Sequence, residues 1–457
     1  MLAPFRGIRY ARDRVSGIAN VTSPPYDVIN GGILDRLRAS DPHNVVRLIL
    51  PGEDAAASRT AATLLREWLS AGVLIRDRMA ALYIYEQSVP ALRSPEVADG
   101  DGPGGAEART LQRGIVGLVR LGPPETAGIL PHEGVMPGLV AGRRELMAAT
   151  QANLEPIFLI YDGDQAASAA ETATEIMDRV AAERAPLVSV TTEDGITHRL
   201  WRLGDPAEQA AIAEDLAGRR ALIADGHHRY AAYLDLQAQM RQGGLGDGPW
   251  DYGLAFLVDS AAYPPRLGAI HRVLPRLDPD RAAELAKAAF TVQDLPAGLG
   301  LGDALQRLAA AGRDGTAFLL AGGPVLRLLS QPDPVQLAAA MPAGTSASWQ
   351  RLDASVMQHL LLGRLWGVAD SERDVLIDHD AADAVRAVSG DATATDVAER
   401  GDGRAPAPGG TAVISNPASF EAVIRIAAHG ERVPRKSTSF GPKPRTGLVL
   451  RTFGPAD

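Results

Sequence analysis

The chain has 457 residues, 46% of them apolar, enough for two or three domains with a substantial core. Aspartate and glutamate total 55 against 46 lysines and arginines, and the resulting net charge of -9 repels a phosphate backbone, which argues against nucleic-acid binding. There is no cysteine, so disulfides, thiolate catalysis and sulfur-based zinc sites are excluded. The absence of a leader-like N-terminus and of any apolar span of about eighteen residues points to a cytoplasmic protein with no membrane partner.

In chain order, SPPYDV (23 to 28) is a rigid proline pair followed by Tyr26 and Asp27, and serves either as a plain turn or as a substrate contact. NVVRLIL (44 to 50) reads as a strand and AASRTAATLLREWLSAG (56 to 72) as a helix. Strands at 81 to 89 and 113 to 121 flank SPEVADGDGPGGAEA (94 to 108), a glycine-rich insertion at a hairpin tip. PHEG (131 to 134) is a loop carrying His132 and Glu133, and the helical stretch at 143 to 154 opens on Arg143 and Arg144, either of which holds a substrate carboxylate or phosphate by a bidentate contact or is a plain solvated first-turn arginine. A strand at 156 to 162 and a helix at 166 to 184 follow.

ALIADGHHRYAAYL (221 to 234) then places a short apolar strand, an aspartate, a glycine, two histidines and an arginine at the start of a helical pattern. Asp225 reads as the N-cap, and the amides of Gly226, His227 and His228 form a positive helix end that attracts anions. Gly226 permits close approach of a ligand to the backbone, and Arg229 adds donors for phosphate oxygens. The rival readings are a metal site and a capped helix with surface histidines. Adjacent histidines suit a metal poorly because helical neighbours point about 100° apart.

Beyond QGGLGDGPWD (242 to 251), strands are expected at 252 to 259, 316 to 322, 325 to 330 and 447 to 453, helices at 281 to 290 and 355 to 367, and a flexible link at 399 to 410. IHRVL (270 to 274) offers a packed His271 and an edge-strand Arg272, with a role at the site as the alternative reading. The glycine-rich AGLGLGDAL (297 to 305) lacks the last glycine of a dinucleotide fingerprint, and neither a P-loop nor a GxSxG elbow occurs. Strands and helices mix without a regular βαβ repeat, which gives an α+β fold class with mixed sheets. The expected divisions are an N-terminal region 1 to 125, a core 126 to 250, a second α+β domain 251 to 398 and a C-terminal segment 411 to 457.

The lysines are informative. Only three of the 46 basic residues are lysine, Lys287, Lys436 and Lys443, and two of these fall in RKSTSFGPKPRTG. Arginine is a planar fork and lysine a compact point charge, so positions that keep lysine in an arginine-rich chain mark sites that need an ammonium.

Taken together, PFRGIRY, SPPYDVI, ILPHEGV, ADGHHRYAA, IHRVL and RKSTSFGPKPRTGLV resemble, from about residue 3 to 453, the bacterial and archaeal family catalogued as domain of unknown function one thousand and fifteen. Its Asp-Gly-His-His-Arg element is in turn similar to the phosphate-binding element of the ParB/sulfiredoxin fold, which includes free-serine kinases using a nucleotide or pyrophosphate donor. The resemblance implies a ParB/sulfiredoxin-like core carrying the strand-DGHHR-helix element. It also implies donor-phosphate contacts at Asp225, Gly226, His227, His228 and Arg229, and a second set at Lys436, Ser437, Thr438 and Lys443.

The function expected from these residues is a small-molecule phosphotransferase, and the resemblance implies free serine or a similar hydroxy amino acid as its acceptor. Glu133 is the first choice to orient the acceptor hydroxyl and Asp225 the second, with His132 and His228 alongside; a solvated loop acid is the plain alternative for Glu133. The cofactor expected is magnesium with ATP, ADP or pyrophosphate, held by substrate oxygens plus Asp225 or Asp27, without a dedicated protein metal site. Two other classes are a ParB-type nucleotide-binding regulator and a phosphatase acting on a phosphorylated amino acid.

Overall fold

A computed structural model describes residues 2–29, 31–52, 56–90, 108–163, 171–369, 371, 373–389 and 408–453. The insertion expected at 94 to 108 and the link expected at 399 to 410 lie almost wholly outside these residues.

The fold is α+β and is organised around two sheets. The larger has nine strands: β1 (Leu2–Ala3), β2 (Leu82–Val89), β3 (Arg109–Arg120), β4 (Ile129–Leu130), β5 (Ile157–Tyr161), β6 (Val188–Thr191), β7 (Thr197–Leu203), β8 (Ala221–Asp225) and β9 (Tyr252–Asp259). Their order is β4-β8-β5-β9-β3-β2-β7-β6, with β1 paired to β3. Strand β5 shows why an apolar run rather than an alternating one occurs at its centre: Ile157, Leu159 and Tyr161 face one buried cluster, Phe158 and Ile160 the other. Both faces are covered, so no polar face is needed.

The second sheet contains β10 (His271–Leu274), β11 (Thr291–Asp294), β12 (Ala317–Ala321), β13 (Arg327–Ser330), β14 (Leu376–Asp378) and β15 (Thr411–Ser415), in the order β11-β13-β12-β15-β10-β14. Strand β10 is therefore interior, and Arg272 is not on an edge strand as its sequence neighbourhood implied.

Four helices matter for the site: α1 (Ala57–Ser70), α2 (Pro137–Thr150), α3 (Ala173–Glu183) and α4 (His227–Gln242). Helix α2 starts earlier than its apolar pattern indicated, because Pro137 supplies a ready-made first turn. It ends with Gln151 in the left-handed region. The stretch expected as a strand at 44 to 50 is instead the short helix Val46–Ile49. Asn44 starts it by accepting from the Val46 amide at 2.9 Å, and a continuous apolar run cannot distinguish a buried helix from a buried strand. At 447 to 453 only Arg451–Thr452 is strand. The segment Val356–Trp366 is helical and largely buried, as its composition implies, but winds as a π-helix. Among the described residues, no helix is long and apolar enough to cross a membrane.

Candidate functional site

Strand β8 is irregular between Ile223 and Asp225, and the chain then turns at Gly226, with φ 94° and ψ 29°. A side chain is strained at that angle, and an added Cβ would lie 3.1 Å from both Ile157 and Arg229. Gly226, not Asp225, is the N-cap, and no side chain caps the helix. The first amides of α4 thus have neither an intrahelical partner nor a side-chain cap. Gly226, His227 and His228 line a cavity of about 360 Å³.

Asp225 turns to other partners. Its Oδ2 accepts from Arg229 at 2.5 Å and its Oδ1 lies 2.6 Å from the Lys443 ammonium. Lys443 Nζ is also 2.6 Å from Asp27 Oδ2, so one ammonium bridges two carboxylates from distant parts of the chain. Burial pushes the Asp225 carboxyl upward, and the nearby Asp27 charge adds to it. Burial acts likewise on Asp27, but Lys443 and Arg229 outweigh it and hold that carboxyl below its ordinary range. The Lys443 ammonium loses hydration, yet the two carboxylates more than offset this and raise its pKa.

The C-terminal loop is pinned from three sides. Gln87 and Gln112 of the large sheet donate to the carbonyls of Lys443 and Pro442, at 3.1 and 2.6 Å. Arg272 of β10 donates to the carbonyls of Lys436 and Arg435. Glu133 Oε1 accepts from the Ser437 and Thr438 amides, each at 3.3 Å, and from the Thr438 hydroxyl at 2.9 Å. The Ser437 hydroxyl donates to the Pro434 carbonyl.

The histidines are not equivalent. His132 is fully buried, its Nε2 2.8 Å from the Thr438 hydroxyl and its ring 4.6 Å from that of His227. His227 Nε2 accepts from the backbone amides of His132 and Glu133, which requires that nitrogen to be unprotonated. Burial lowers both rings to about 3, reinforced at His132 by the His227 ring and at His227 by His228, Arg432, Lys443 and Arg229. His228 lines the cavity while its Nε2 accepts from the Met136 amide at 3.1 Å.

Most of the residues expected at the site therefore converge. Tyr26, Asp27, Glu133, Asp225, Gly226, His227, His228, Arg229, Lys436, Thr438 and Lys443 all line the cavity. Three do not: His132 and Ser437 are buried behind it, and Arg143 lies outside it. Arg143 instead donates to the Ile49 carbonyl and stacks 4.1 Å over the Tyr26 ring. Arg229, expected as a phosphate donor, is 2% exposed and spends its guanidinium on Asp225 and the Pro156 carbonyl. A guanidinium so engaged orders the turn, while its buried Nε has no hydrogen-bond partner among the described residues. Burial raises the Tyr26 phenol to about 12 against the opposing charges of Arg229 and Arg143, so it stays neutral.

Sequence reading missed His379, which follows β14 and lines the cavity from the second sheet, and Glu155, whose buried carboxylate accepts from the Tyr26 amide and the Thr446 hydroxyl. Neither belongs to a motif, and His379 lies in an ordinary acidic stretch, IDHDAAD. Among the described residues, no group of three or more histidines and acids is arranged to hold a metal. Asp27 and Asp225, expected to help hold magnesium, already share an ammonium.

Residues 2–355 match the family described as "Protein of unknown function (DUF1015)". Among solved structures, a free serine kinase mutant in complex with AMP is 12% identical, with a TM-score of 0.34 over 69% of this chain and 84% of its own. The C-terminally truncated SbnI from Staphylococcus aureus is 11% identical, with a TM-score of 0.32 over 71% and 82%. A conserved hypothetical protein from Pyrococcus furiosus is 12% identical, with a TM-score of 0.32 over 70% and 90%. A search of curated proteins gave no match.

Proposed function

The chain belongs to the DUF1015 family, and from that premise and the geometry of its cavity we propose that it is a small-molecule phosphotransferase. One observation carries the reading: Lys443 stands between Asp27 and Asp225 in a cavity also lined by the opening residues of α4. An anion-binding helix end beside a fixed ammonium is what a transferring phosphoryl group needs, because catalysis of such transfer is mainly positioning and charge stabilisation.

In this proposal the donor phosphates rest on the amides of Gly226, His227 and His228, and Lys443 and Lys436 neutralise the transferring group. Asp27 orients the acceptor hydroxyl and takes its proton. It replaces Glu133 in that role because Glu133 Oε1 already accepts three hydrogen bonds from the 437–438 segment. It also replaces Asp225, whose two oxygens are held by Lys443 and Arg229. Glu133 is then a positioning residue that fixes the loop carrying Lys436. The described residues form no magnesium cage, so any magnesium enters on the donor's own phosphates as part of that substrate.

The acceptor proposed is free serine or a related hydroxy amino acid, and the donor ATP, ADP or pyrophosphate. The test is incubation of the full chain with L-serine, magnesium and each donor in turn, with O-phosphoserine as readout. Absence of product with every donor, across a panel of hydroxy amino acids, overturns the proposal. Phosphate release from phosphoserine without a donor assigns the reverse chemistry instead.

A further inference from the structure

A second cavity, of about 420 Å³, adjoins the reaction cavity, and Glu133 and His227 line both. One face of α4 runs along it: His227, Tyr230, Ala231, Leu234 and Gln237 follow at steps of three and four residues, and all line it. The same helix thus carries the anion-binding turn at its start and this cavity along its side. From His227 to Gln237 the helix rises about 15 Å. Pro123, Pro131 and Val135 complete a mostly apolar lining. Tyr230 is buried, and its hydroxyl donates to the Gly122 carbonyl at 3.3 Å, which fixes the ring in place.

Two acceptors stand along this path. Where the cavities meet, Glu133 Oε1 takes the three hydrogen bonds of the 437–438 segment, which leaves Oε2 to accept from a ligand. At the far end Gln237 is 6% exposed, and its Nε2 donates to Asp251 Oδ1 at 2.7 Å. Asp251 is held in turn by the Gly248 amide and Arg241. Gln237 is therefore fixed, with its Oε1 taking no hydrogen bond among the described residues, and a buried acceptor left unmet is costly. An anion site, a carboxylate, an apolar slot and a lone amide oxygen follow one another beside a single helix. Phosphate, ribose hydroxyls, a flat ring and an exocyclic amine follow in the same order along a nucleotide. The volume also falls within the usual range for a small-ligand site, about 300–1,000 Å³. We infer that this cavity takes the nucleoside of the phosphoryl donor, a nucleoside di- or triphosphate whose amino-bearing purine donates to Gln237 and whose ribose donates to Glu133. Pyrophosphate has nothing to place there and is the poorer donor. The inference rests on the phosphotransferase reading, which sets the donor phosphates on the α4 turn.

The test is calorimetric titration of the full-length protein with adenosine, inosine, ADP and pyrophosphate, the last two with magnesium, repeated on Leu234→Trp, which fills the cavity from a partly buried position. Adenosine should bind saturably, and inosine, which turns a carbonyl toward Gln237 in place of the amine, about tenfold or more weakly. Leu234→Trp should weaken adenosine and ADP by about tenfold or more and leave pyrophosphate within about twofold. The comparison of adenosine with inosine uses the native chain, so it decides the matter even where Leu234→Trp shifts the thermal midpoint. Absence of saturable adenosine binding, equal affinity for inosine, or unchanged adenosine binding in Leu234→Trp overturns the inference. Turnover separates it from the reading on which it rests. Phosphoserine formed as readily from pyrophosphate as from ADP or ATP removes the nucleoside assignment and keeps the phosphotransferase. Adenosine binding as expected, with no product from any donor, removes the phosphotransferase and leaves a nucleoside site.

Discussion

Replacing Lys443 by methionine tests the core of the site. The ammonium lies 2.6 Å from each of two carboxylates, and its side chain is 21% exposed beside Asp225 at 9% and Asp27 at 26%. At an effective dielectric constant near 20, one such contact is worth about 6 kcal/mol of Coulomb attraction before desolvation is subtracted. Removing one member of a buried pair typically costs about 3–5 kcal/mol, because the partner stays buried and unpaired. In this variant two acids are left facing each other, with Arg229 compensating Asp225. The sign with pH follows from the shifts. In the native protein Asp27 is depressed, so the stability it contributes is present above the ordinary aspartate range and lost as pH falls through its folded pKa. Asp225 is raised, so its ionisation is a cost that acidification relieves. Without the ammonium both carboxyls rise. The deficit of Lys443→Met should therefore be about 3 kcal/mol near pH 8 and shrink below about pH 5 as one acid protonates. Urea unfolding at several pH values with a constant slope measures it. Equal stability of the two proteins near pH 8 would refute the bridging geometry. Phosphotransfer should fall by about 10²–10³ in kcat, the usual cost of losing one fixed charge at a developing anion. Lys443→Arg should not restore it, because a planar fork does not fit a point-charge position.

Glu133→Gln keeps an acceptor for the 437–438 amides and should retain activity within about tenfold, whereas Glu133→Ala frees the loop and should lose about a hundredfold or more. Equal loss in both would make Glu133 the proton acceptor rather than a positioning residue. Gly226→Ala forces a side chain into a left-handed turn 3.1 Å from two neighbours and should lower stability by about 1–2 kcal/mol, read from the urea midpoint. His132 and His227, lowered to about 3 from an ordinary value near 6.5, must charge in the unfolded chain before they do in the folded one. Their contribution is therefore whole above about pH 6.5 and is lost progressively as pH falls toward about 3, so acid titration should show a loss that His132→Phe reduces.

Local physics made much of this legible in the chain itself. A strand too apolar for an exposed face, a glycine before a helical period and two lysines among arginines located β5, the α4 turn and the C-terminal loop without any long-range information, because each is set by neighbours in sequence. Side-chain direction is different. Asp225 reads as an N-cap and Arg229 as a phosphate donor until Pro156 and Lys443 are placed beside them, and then both turn inward. Arg143 looked free until the Tyr26 ring covered it. His379 carries no signal at all, since only the packing of the second sheet delivers it to a cavity built mainly by the first. The residues of the chain thus determined most of the elements and the position of the glycine turn and of the lysine pair. Only the tertiary structure decided which charges face the cavity, because a charge is claimed by its nearest partner in space, and Asp27 lies 416 residues from Lys443.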